Sequence, residues 1–228
     1  MVDKSHWRHI RSFVRREGRL TGGQQRAIDV LGPKYMVEYQ AELLDLDRLF
    51  GRQAPRYLEI GFGDGESLAT MAATLPEIDF LGVEVHRPGV GSLLQQVEQL
   101  SLTNVRVICA DVVEVLKTML PDRSLDKVLL FFPDPWHKTR HHKRRLVQPD
   151  FVTMLHTKLK PGGFFHMATD WEDYAKHMVG VMHDAPGFIN TASDGLYVMR
   201  PDYRPLTKFE ARGKRLGHGV WDLIYKCV

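Results

Sequence analysis

The sequence predicts an α/β fold with a doubly wound, mostly parallel sheet of seven strands, whose last two strands form an antiparallel hairpin at one edge. Short apolar segments alternate with segments of helical periodicity from residue 56 to residue 183. Such alternation implies right-handed crossovers between parallel strands. The unbroken apolar run Val128–Phe132 is typical of a strand buried on both faces. The final strand-like segments, near Tyr197 and at Gly219–Cys227, have no helix between them.

The elements follow in order along the chain. Residues 1–32 are basic and glycine-rich with little periodic pattern, and we expect a mobile arm. A helix is predicted from Pro33 to Phe50, because proline suits a first helical turn and Gly51 suits the end. Residues 33–228 then form a single domain. The predicted strands are 56–60, 80–85, 105–110, 127–132 and 164–168, and the predicted helices are 67–75, 90–100, 112–120, 151–159 and 172–183.

Composition excludes several classes of protein. The 228 residues are 43% hydrophobic and 26% charged, which is ordinary globular usage. No apolar run approaches the roughly 18 residues of a membrane span, and no secretory signal is evident. The two cysteines, Cys109 and Cys227, have neither metal-type nor redox-type spacing, so we expect a reduced, cytoplasmic protein. The net charge is only +3, but basic residues cluster within 6–26, 138–145 and 208–215, which favours a polyanionic partner.

A glycine-rich loop follows the first of these strands. Gly61, Gly63 and Gly65 lie between strand and helix, where glycine lets the backbone approach a ligand closely. A dinucleotide fingerprint would need glycine at position 66, but Glu66 stands there and would repel a pyrophosphate at the helix N-terminus. S-adenosylmethionine is therefore favoured over NAD. Glu59, just before the loop, could meet a cationic group of that ligand.

Three further acids stand at or just beyond the ends of the next three strands. Glu84 ends the second strand, where an acid can accept both ribose hydroxyls. Asp111 follows the third strand and could meet an adenine amino group or cap the next helix. Asp134 lies beyond the fourth strand between Pro133 and Pro135, which restrict the backbone around it. Because ligands bind outside the carboxyl ends of parallel strands, these acids predict one cofactor site.

A basic run follows Asp134. After Trp136, the eight residues 138–145 contain five lysines or arginines and two histidines. Such a run predicts phosphate contacts with RNA, and Trp136 either packs in the core or stacks on a base. A metal site at His137, His141 and His142 is disfavoured, because the surrounding positive charge would repel a cation. The predicted RNA-binding residues are Arg140, His141, His142, Lys143, Arg144 and Arg145.

Five segments together resemble the bacterial tRNA (guanine-N7)-methyltransferases, from about Tyr35 to the C-terminus. They are LEIGFGDGESL, GVEVHRPGV, ADVVEVL, FFPDPWHKTRHHKRR and TKFE. The glycine loop is common to many methyltransferases, whereas the proline-flanked aspartate run and the TKFE segment are highly specific. Phe62 stands where many relatives carry cysteine, an exchange that leaves the backbone of the loop available.

The resemblance implies a Rossmann-like methyltransferase sheet and S-adenosylmethionine binding at Glu59, Glu84, Asp111 and Asp134. It implies transfer of the methyl group to N7 of a guanosine in the tRNA variable loop, position 46 in the family. It also implies substrate contacts at Lys138, Asp170, Thr207, Lys208, Phe209 and Glu210.

Guanine N7 carries a lone pair and no proton, so direct transfer needs no general base. Catalysis then rests on alignment and electrostatics, and Asp134 would stabilise the positive charge that develops on the base. Asp170 is a second candidate, or only the cap of the helix that follows. Trp136 or Phe209 could stack on the extruded base.

Several alternatives stay open. A methyltransferase for a small molecule or a protein would not need the basic run. A non-catalytic RNA-binding protein on the same fold would not bind S-adenosylmethionine. A nicotinamide-dependent dehydrogenase is weakened by Glu66. We expect a monomer or a weak homodimer.

Overall fold

The computed structural model describes residues 12–13, 18–193, 195–206, 210 and 219–228. Thr207, Lys208 and Phe209, three of the predicted substrate contacts, lie outside the described residues, as do residues 1–11 and 14–17 of the predicted arm. Within the described part of the chain, no helix is long and apolar enough to cross a membrane. The same residues contain no group of three or more His, Cys, Asp or Glu side chains that could hold a metal ion.

Seven α-helices and eight strands form within the described residues. The helices are α1 (Gly22–Tyr35), α2 (Leu46–Phe50), α3 (Glu66–Thr74), α4 (Arg87–Gln99), α5 (Val112–Thr118), α6 (Pro149–Lys158) and α7 (Glu172–His183). The strands are β1 (Met36–Val37), β2 (Arg56–Ile60), β3 (Asp79–Val83), β4 (Val105–Ile108), β5 (Leu125–Phe131), β6 (Leu159–Thr169), β7 (Phe188–Asn190) and β8 (Trp221–Cys227). A 3₁₀ helix spans Thr139–Arg144.

The sheet has the order β1-β4-β3-β2-β5-β6-β8-β7. Strands β1 to β6 pair in parallel, whereas β8 runs antiparallel to both β6 and β7. Side chains alternate between two hydrophobic cores: Val128 and Leu130 face the core beneath α5, α6 and α7, while Leu129 faces the core beneath α1, α3 and α4. Helices therefore cover both faces, and the predicted doubly wound sheet with an antiparallel edge is confirmed.

The predicted helix from Pro33 to Phe50 is wrong as one continuous helix, although Gly51 does end the short helix α2, as predicted. Helix α1 begins after Thr21, whose hydroxyl accepts from the Gln24 backbone N–H while the Gln24 side chain accepts from the Thr21 backbone N–H. Pro33 lies in its last turn, and the helix ends where Met36 becomes extended and pairs with β4. The boundary placed between residues 32 and 33 thus falls inside α1, and the capping signal at Thr21 was overlooked.

The predicted number of strands is also corrected. Strand β1, paired in parallel with β4, adds an eighth strand. The hairpin partner of β8 is Phe188–Asn190, and the segment near Tyr197 contributes only an isolated bridge between Val198 and Asp222. Both missed strands are two or three residues long, too short for a periodic pattern.

The order of the sheet reverses between β2 and β5. From β2 the chain crosses to β3 and β4 on one side, and from β5 it crosses to β6 on the other. The loops after β2 and β5 therefore diverge and leave a crevice between them. In open α/β sheets this crevice is where ligands bind.

Candidate active site

A cavity of about 700 Å³ lies at this reversal point. The loops that follow β2, β3, β4 and β5 form its walls, and the cavity contacts the predicted residues Gly61, Glu84, Asp111 and Asp134. The structure thus brings together acids that are 23 to 73 residues from Gly61 in the sequence, because parallel strands deliver their carboxyl ends to one edge.

The three glycines of the first loop have different roles. All three adopt positive φ angles, which side chains disfavour. Gly61 lines the cavity, and a Cβ added there would meet nothing within 4 Å. Glycine is therefore favoured at this position by the positive φ angle and not by a lack of space. A Cβ at Gly65 would lie 2.6 Å from Cβ of Leu93, so Gly65 also permits close packing of α3 on α4. Gly63 supports the site through its backbone N–H, which donates to Glu84 at 3.0 Å.

Glu84 is a fixed acceptor in the cavity wall. Its Oε1 accepts hydrogen bonds from the backbone N–H groups of Val85 and His86, at 2.7 and 2.9 Å, and its Oε2 accepts from Gly63. The side chain therefore joins the ends of β2 and β3. A carboxylate has about four lone-pair positions, so these three hydrogen bonds leave one position to accept from a ligand hydroxyl.

Asp111 caps a helix at the cavity wall, and its contact with an adenine amino group stays a prediction. Its Oδ1 accepts from the Val113 backbone N–H at 3.0 Å and caps α5. The same residue lines the cavity. A helix cap and a ligand contact are compatible because the carboxylate has a second oxygen.

Glu59 is buried behind the glycine loop, with only 2% of its surface exposed. Burial, aided by the negative charge of Glu84, raises its pKa to about 8. Among the described residues its Oε2 has no hydrogen-bond partner. A buried carboxyl oxygen without a partner is costly unless a ligand supplies one. Glu59 lies outside the lining of the cavity, whereas Glu84 and Asp111 form an acceptor pair on it that fits the hydroxyl and amino groups of S-adenosylmethionine and not a pyrophosphate.

The raised pKa of Glu59 predicts a pH dependence of stability. Between about pH 4.5 and about pH 8 the folded protein retains a proton that the unfolded chain releases, so the free energy of unfolding should fall as pH rises through this window. Glu59→Gln is neutral throughout and should lose less stability over the same range. Urea unfolding of both proteins without ligand at pH 5.5 and pH 8 measures the difference. An identical pH dependence would contradict a protonated Glu59.

The loop carrying Asp134 is held in a strained conformation. Phe132 and Trp136 on either side of it have φ angles of 51° and 50°, which cost non-glycine residues roughly 1 kcal/mol or more each. The Phe132 backbone N–H donates to the carbonyl of Ala168 at 2.8 Å, and Nε of Arg145 donates to the carbonyl of Pro135 at 2.9 Å. The side chain of Asp134 is exposed and lines the cavity. The loop therefore fixes a carboxylate at the mouth of the site.

Arg145 supports this loop from within, which corrects its predicted contact with RNA phosphates. Its side chain is only 1% exposed, forms an ion pair with Asp173, and lies over the ring of Tyr174 at 4.8 Å. A guanidinium enclosed in this way does not face a phosphate in solution. Because the sequence shows only a basic run, it could not separate this residue from its exposed neighbours.

Trp136 is engaged in packing. Its Nε1 donates to the carbonyl of Ser12 at 3.1 Å, the guanidinium of Arg144 lies 4.4 Å from its ring centre, and the ring of His141 meets it edge-on. The indole thus joins the N-terminal segment to the basic run. Of the two interpretations left open by the sequence, the structure favours packing.

The rest of the basic run, residues 138–144, forms a rim beside the cavity, of which Lys138 and His141 line the cavity itself. Lys138, Arg140 and Lys143 are exposed, whereas His141 and His142 are half-buried. Partial burial and the positive charges around it lower the pKa of His141, so that ring is neutral at pH 7. The ring of His142 faces Asp173, with Oδ2 at 3.8 Å from Nε2. The three exposed cations are therefore the best placed for phosphate contacts.

Asp170 is exposed at the end of β6. It does not cap α7: the first turn of that helix follows Trp171, whose backbone N–H donates to Oγ1 of Thr169 at 3.2 Å. The prediction that Asp170 caps the helix is therefore wrong. Beside it, the ring of Trp171 is 39% exposed and meets the ring of His137, a cavity residue, at 4.2 Å between centres. Sequence reasoning missed this aromatic pair.

Glu210 is buried, with only 3% of its surface exposed. Its Oε2 accepts from Nη1 of Arg204 at 2.6 Å and its Oε1 from Nη2 at 3.2 Å. Arg204, itself 1% exposed, also pairs with Asp222 on β8. The carboxylate expected to contact substrate is thus engaged with the protein. Arg204 had no motif in the sequence that could have revealed it.

A family model described as "Putative methyltransferase" matches residues 53–223. Curated relatives named "tRNA (guanine-N(7)-)-methyltransferase" are similar over nearly the whole chain. The relative from Photobacterium profundum is 62% identical over 96% of this chain and 89% of its own length. The relative from Serratia proteamaculans is 62% identical over 96% and 92%. The relative from Aeromonas hydrophila subsp. hydrophila is 60% identical over 99% and 95%.

Solved structures share the fold at low identity. The 16S rRNA methyltransferase KamB superposes with a TM-score of 0.59 at 16% identity, covering 82% of this chain and 94% of its own. TrmN from Thermus thermophilus gives a TM-score of 0.54 at 19% identity, covering 80% and 47%. At this level of identity the likeness establishes the fold alone.

Proposed function

Because the chain belongs to the tRNA (guanine-N(7)-)-methyltransferase family, we propose that it transfers the methyl group of S-adenosylmethionine to N7 of a guanosine in the tRNA variable loop. The observation that carries the proposal is the cavity at the sheet reversal. There the acids Glu84 and Asp111, the proline-flanked carboxylate of Asp134 and the exposed cation Lys138 line one cavity, whose acidic part we call the wall. The wall fits the cofactor, and the rim fits the polyanionic substrate.

The chain's acids hold the cofactor. Glu84, fixed by three backbone N–H groups, is placed to accept from a ribose hydroxyl with its remaining lone-pair position, and Asp111 to accept from the adenine amino group. Glu59 has an oxygen free for a donor among the described residues and lies behind the glycine loop. Once bound, S-adenosylmethionine supplies an electrophilic methyl group on a sulfonium.

Asp134 is the catalytic residue. Guanine N7 is already a nucleophile with no proton to lose, so the protein needs to align it and to stabilise the charge that appears. Asp134 is fixed at the cavity mouth by its strained loop, where a carboxylate stabilises a guanine becoming cationic.

Lys138 and Asp170 are placed to contact the substrate around Asp134. Lys138 is exposed and lines the cavity, and Asp170 is exposed at the end of the neighbouring strand β6. A cation and an acid on either side can hold a phosphate and a guanine edge, respectively. Thr207, Lys208 and Phe209 stay predictions of the family resemblance.

The exposed rim should govern affinity for tRNA. We expect Arg140→Ala and Lys143→Ala each to weaken tRNA binding and to reduce the slope of log affinity against log salt by about one. The matched control is Lys117→Ala, an exposed lysine in the last turn of α5, at the end of that helix away from the cavity. Filter binding from about 50 to about 200 mM salt measures the slopes. Slopes equal to that of the control would count against the rim.

The decisive test of function is transfer of labelled methyl from S-adenosylmethionine to bulk unmodified tRNA, followed by identification of the modified nucleoside. We expect 7-methylguanosine. Label on another atom, or on a protein or small molecule instead of tRNA, would favour the rival methyltransferases. Absence of cofactor binding by calorimetry would favour a non-catalytic RNA-binding protein.

We also propose a cytoplasmic location, where tRNA is modified, and a monomer or weak homodimer. The support for the location is the tRNA substrate of the family. Sedimentation at several concentrations would measure the state of association.

A further inference from the structure

The aromatic pair formed by His137 and Trp171 is not used by the mechanism above. The two rings meet at 4.2 Å between centres with an interplanar angle of 67°. His137 belongs to the loop after Asp134 and lines the cavity, while Trp171 directly follows Asp170. The pair therefore bridges the two loops that carry the exposed acids of the site.

Trp171 is unusual in its exposure. Tryptophan side chains are on average highly buried, whereas 39% of the surface of Trp171 is accessible. Among the described aromatic residues near the cavity mouth, Trp136 is already covered by Arg144 and bonded to Ser12. Trp171 thus offers open indole surface beside Asp170, supported from the cavity side by His137.

We propose that Trp171, braced by His137, is the stacking platform for the extruded guanine. This inference rests on the proposed function and names the part of the site that takes the base. An enzyme that modifies a base must take it out of its stack, and an aromatic face replaces the lost neighbours.

The platform discriminates between substrate and product. Guanine is neutral before transfer, and 7-methylguanine is cationic after it. A cation over an indole face is attracted more strongly than a neutral ring, and tryptophan is the best of the aromatic residues for this. Trp171 therefore stabilises the base more in the transition state than in the ground state, and so raises turnover as well as affinity.

The test compares Trp171→Phe and Trp171→Leu with wild type in single-turnover methyl transfer to saturating tRNA. We expect Trp171→Leu to slow transfer about tenfold or more. The rate of Trp171→Phe should lie between those of wild type and Trp171→Leu, because a phenyl ring attracts a cation less strongly than an indole does. Leu100→Ala removes a similarly exposed apolar side chain just after α4, away from the site, and should leave the rate unchanged. Melting temperature and cofactor affinity should stay at wild-type values in both Trp171 variants.

A second readout separates stacking from a merely structural role. The ratio of dissociation constants for unmodified tRNA and for tRNA carrying 7-methylguanine should exceed one in wild type and should shrink in Trp171→Leu. A ratio unchanged by the substitution, or equal transfer rates in all proteins, would overturn the platform. If wild type itself forms no 7-methylguanosine, the proposed function fails. If wild type forms it and the Trp171 variants match wild type, only the platform fails.

Discussion

Asp134→Asn should lower the turnover of methyl transfer by about 10²–10³-fold, the range found when a preorganised electrostatic contact to a transition state is removed. Asparagine keeps the size and the hydrogen-bonding capacity of the side chain and removes its charge. The two prolines, the strained residues on either side and the contact of Arg145 with Pro135 do not depend on that charge, so the loop should keep its conformation.

The effect should fall on the chemical step. Because we propose that the exposed rim makes the phosphate contacts, tRNA affinity should stay close to wild type, and single-turnover rates at saturating tRNA and cofactor should carry the loss. Asp184→Asn, an exposed aspartate at the C-terminal end of α7, controls for the loss of one negative charge. Full turnover in Asp134→Asn would remove Asp134 from the mechanism. A loss confined to cofactor affinity would reassign it to binding.

The sequence predicted the sheet and its cofactor edge because both follow from local pattern. A run such as Val128–Phe132 reports burial on both faces, and acids that follow successive parallel strands must meet at one edge. The same reasoning placed Glu84, Asp111 and Asp134 correctly on one cavity. It failed at α1, where a capping box at Thr21 outweighs the glycines of the first turn.

The rest of the site depends on tertiary packing and could not be read from pattern. Arg144 and Arg145 are adjacent and chemically identical, yet the first lies over Trp136 and the second is buried against Asp173. Trp171 belongs to no periodic pattern in the sequence. It meets His137 because β5 and β6, the strands that precede the two residues, are neighbours in the sheet. Motifs identify which residues belong to a site, whereas packing decides which of them face the ligand.

Glu210 shows most clearly that a residue of a motif need not face the ligand. It belongs to the specific TKFE segment, but the structure pairs it with Arg204 in a buried cluster. Burial alone would raise the pKa of Asp222, yet hydrogen bonds from His166 and Arg204 hold it below its usual range. Burial lowers the pKa of His166, whose Nδ1 lies 2.8 Å from the hydroxyl of Tyr203. The cluster thus ties the segment before Glu210 to strands β6 and β8.

Arg204→Met should destabilise the protein by about 3–5 kcal/mol, because it leaves two buried carboxylates without their cation. Glu210→Gln should cost less, since the amide can still accept one hydrogen bond from the guanidinium. Urea unfolding measures both. Wild-type stability in Arg204→Met would contradict the buried ion pair.

The double variant Arg204→Met with Glu210→Met separates folding from function. Replacing both partners of a buried pair by apolar side chains removes the unpaired charge on Glu210, so the double variant should be more stable than Arg204→Met alone. Methyl transfer should nevertheless stay low at temperatures where the double variant is folded. The reason is that the pair fixes Glu210, which directly follows the predicted substrate contacts Thr207 to Phe209 in the sequence. If activity returned together with stability, Glu210 would serve folding alone. A return of stability without activity would show that the buried pair sets the position of the substrate segment.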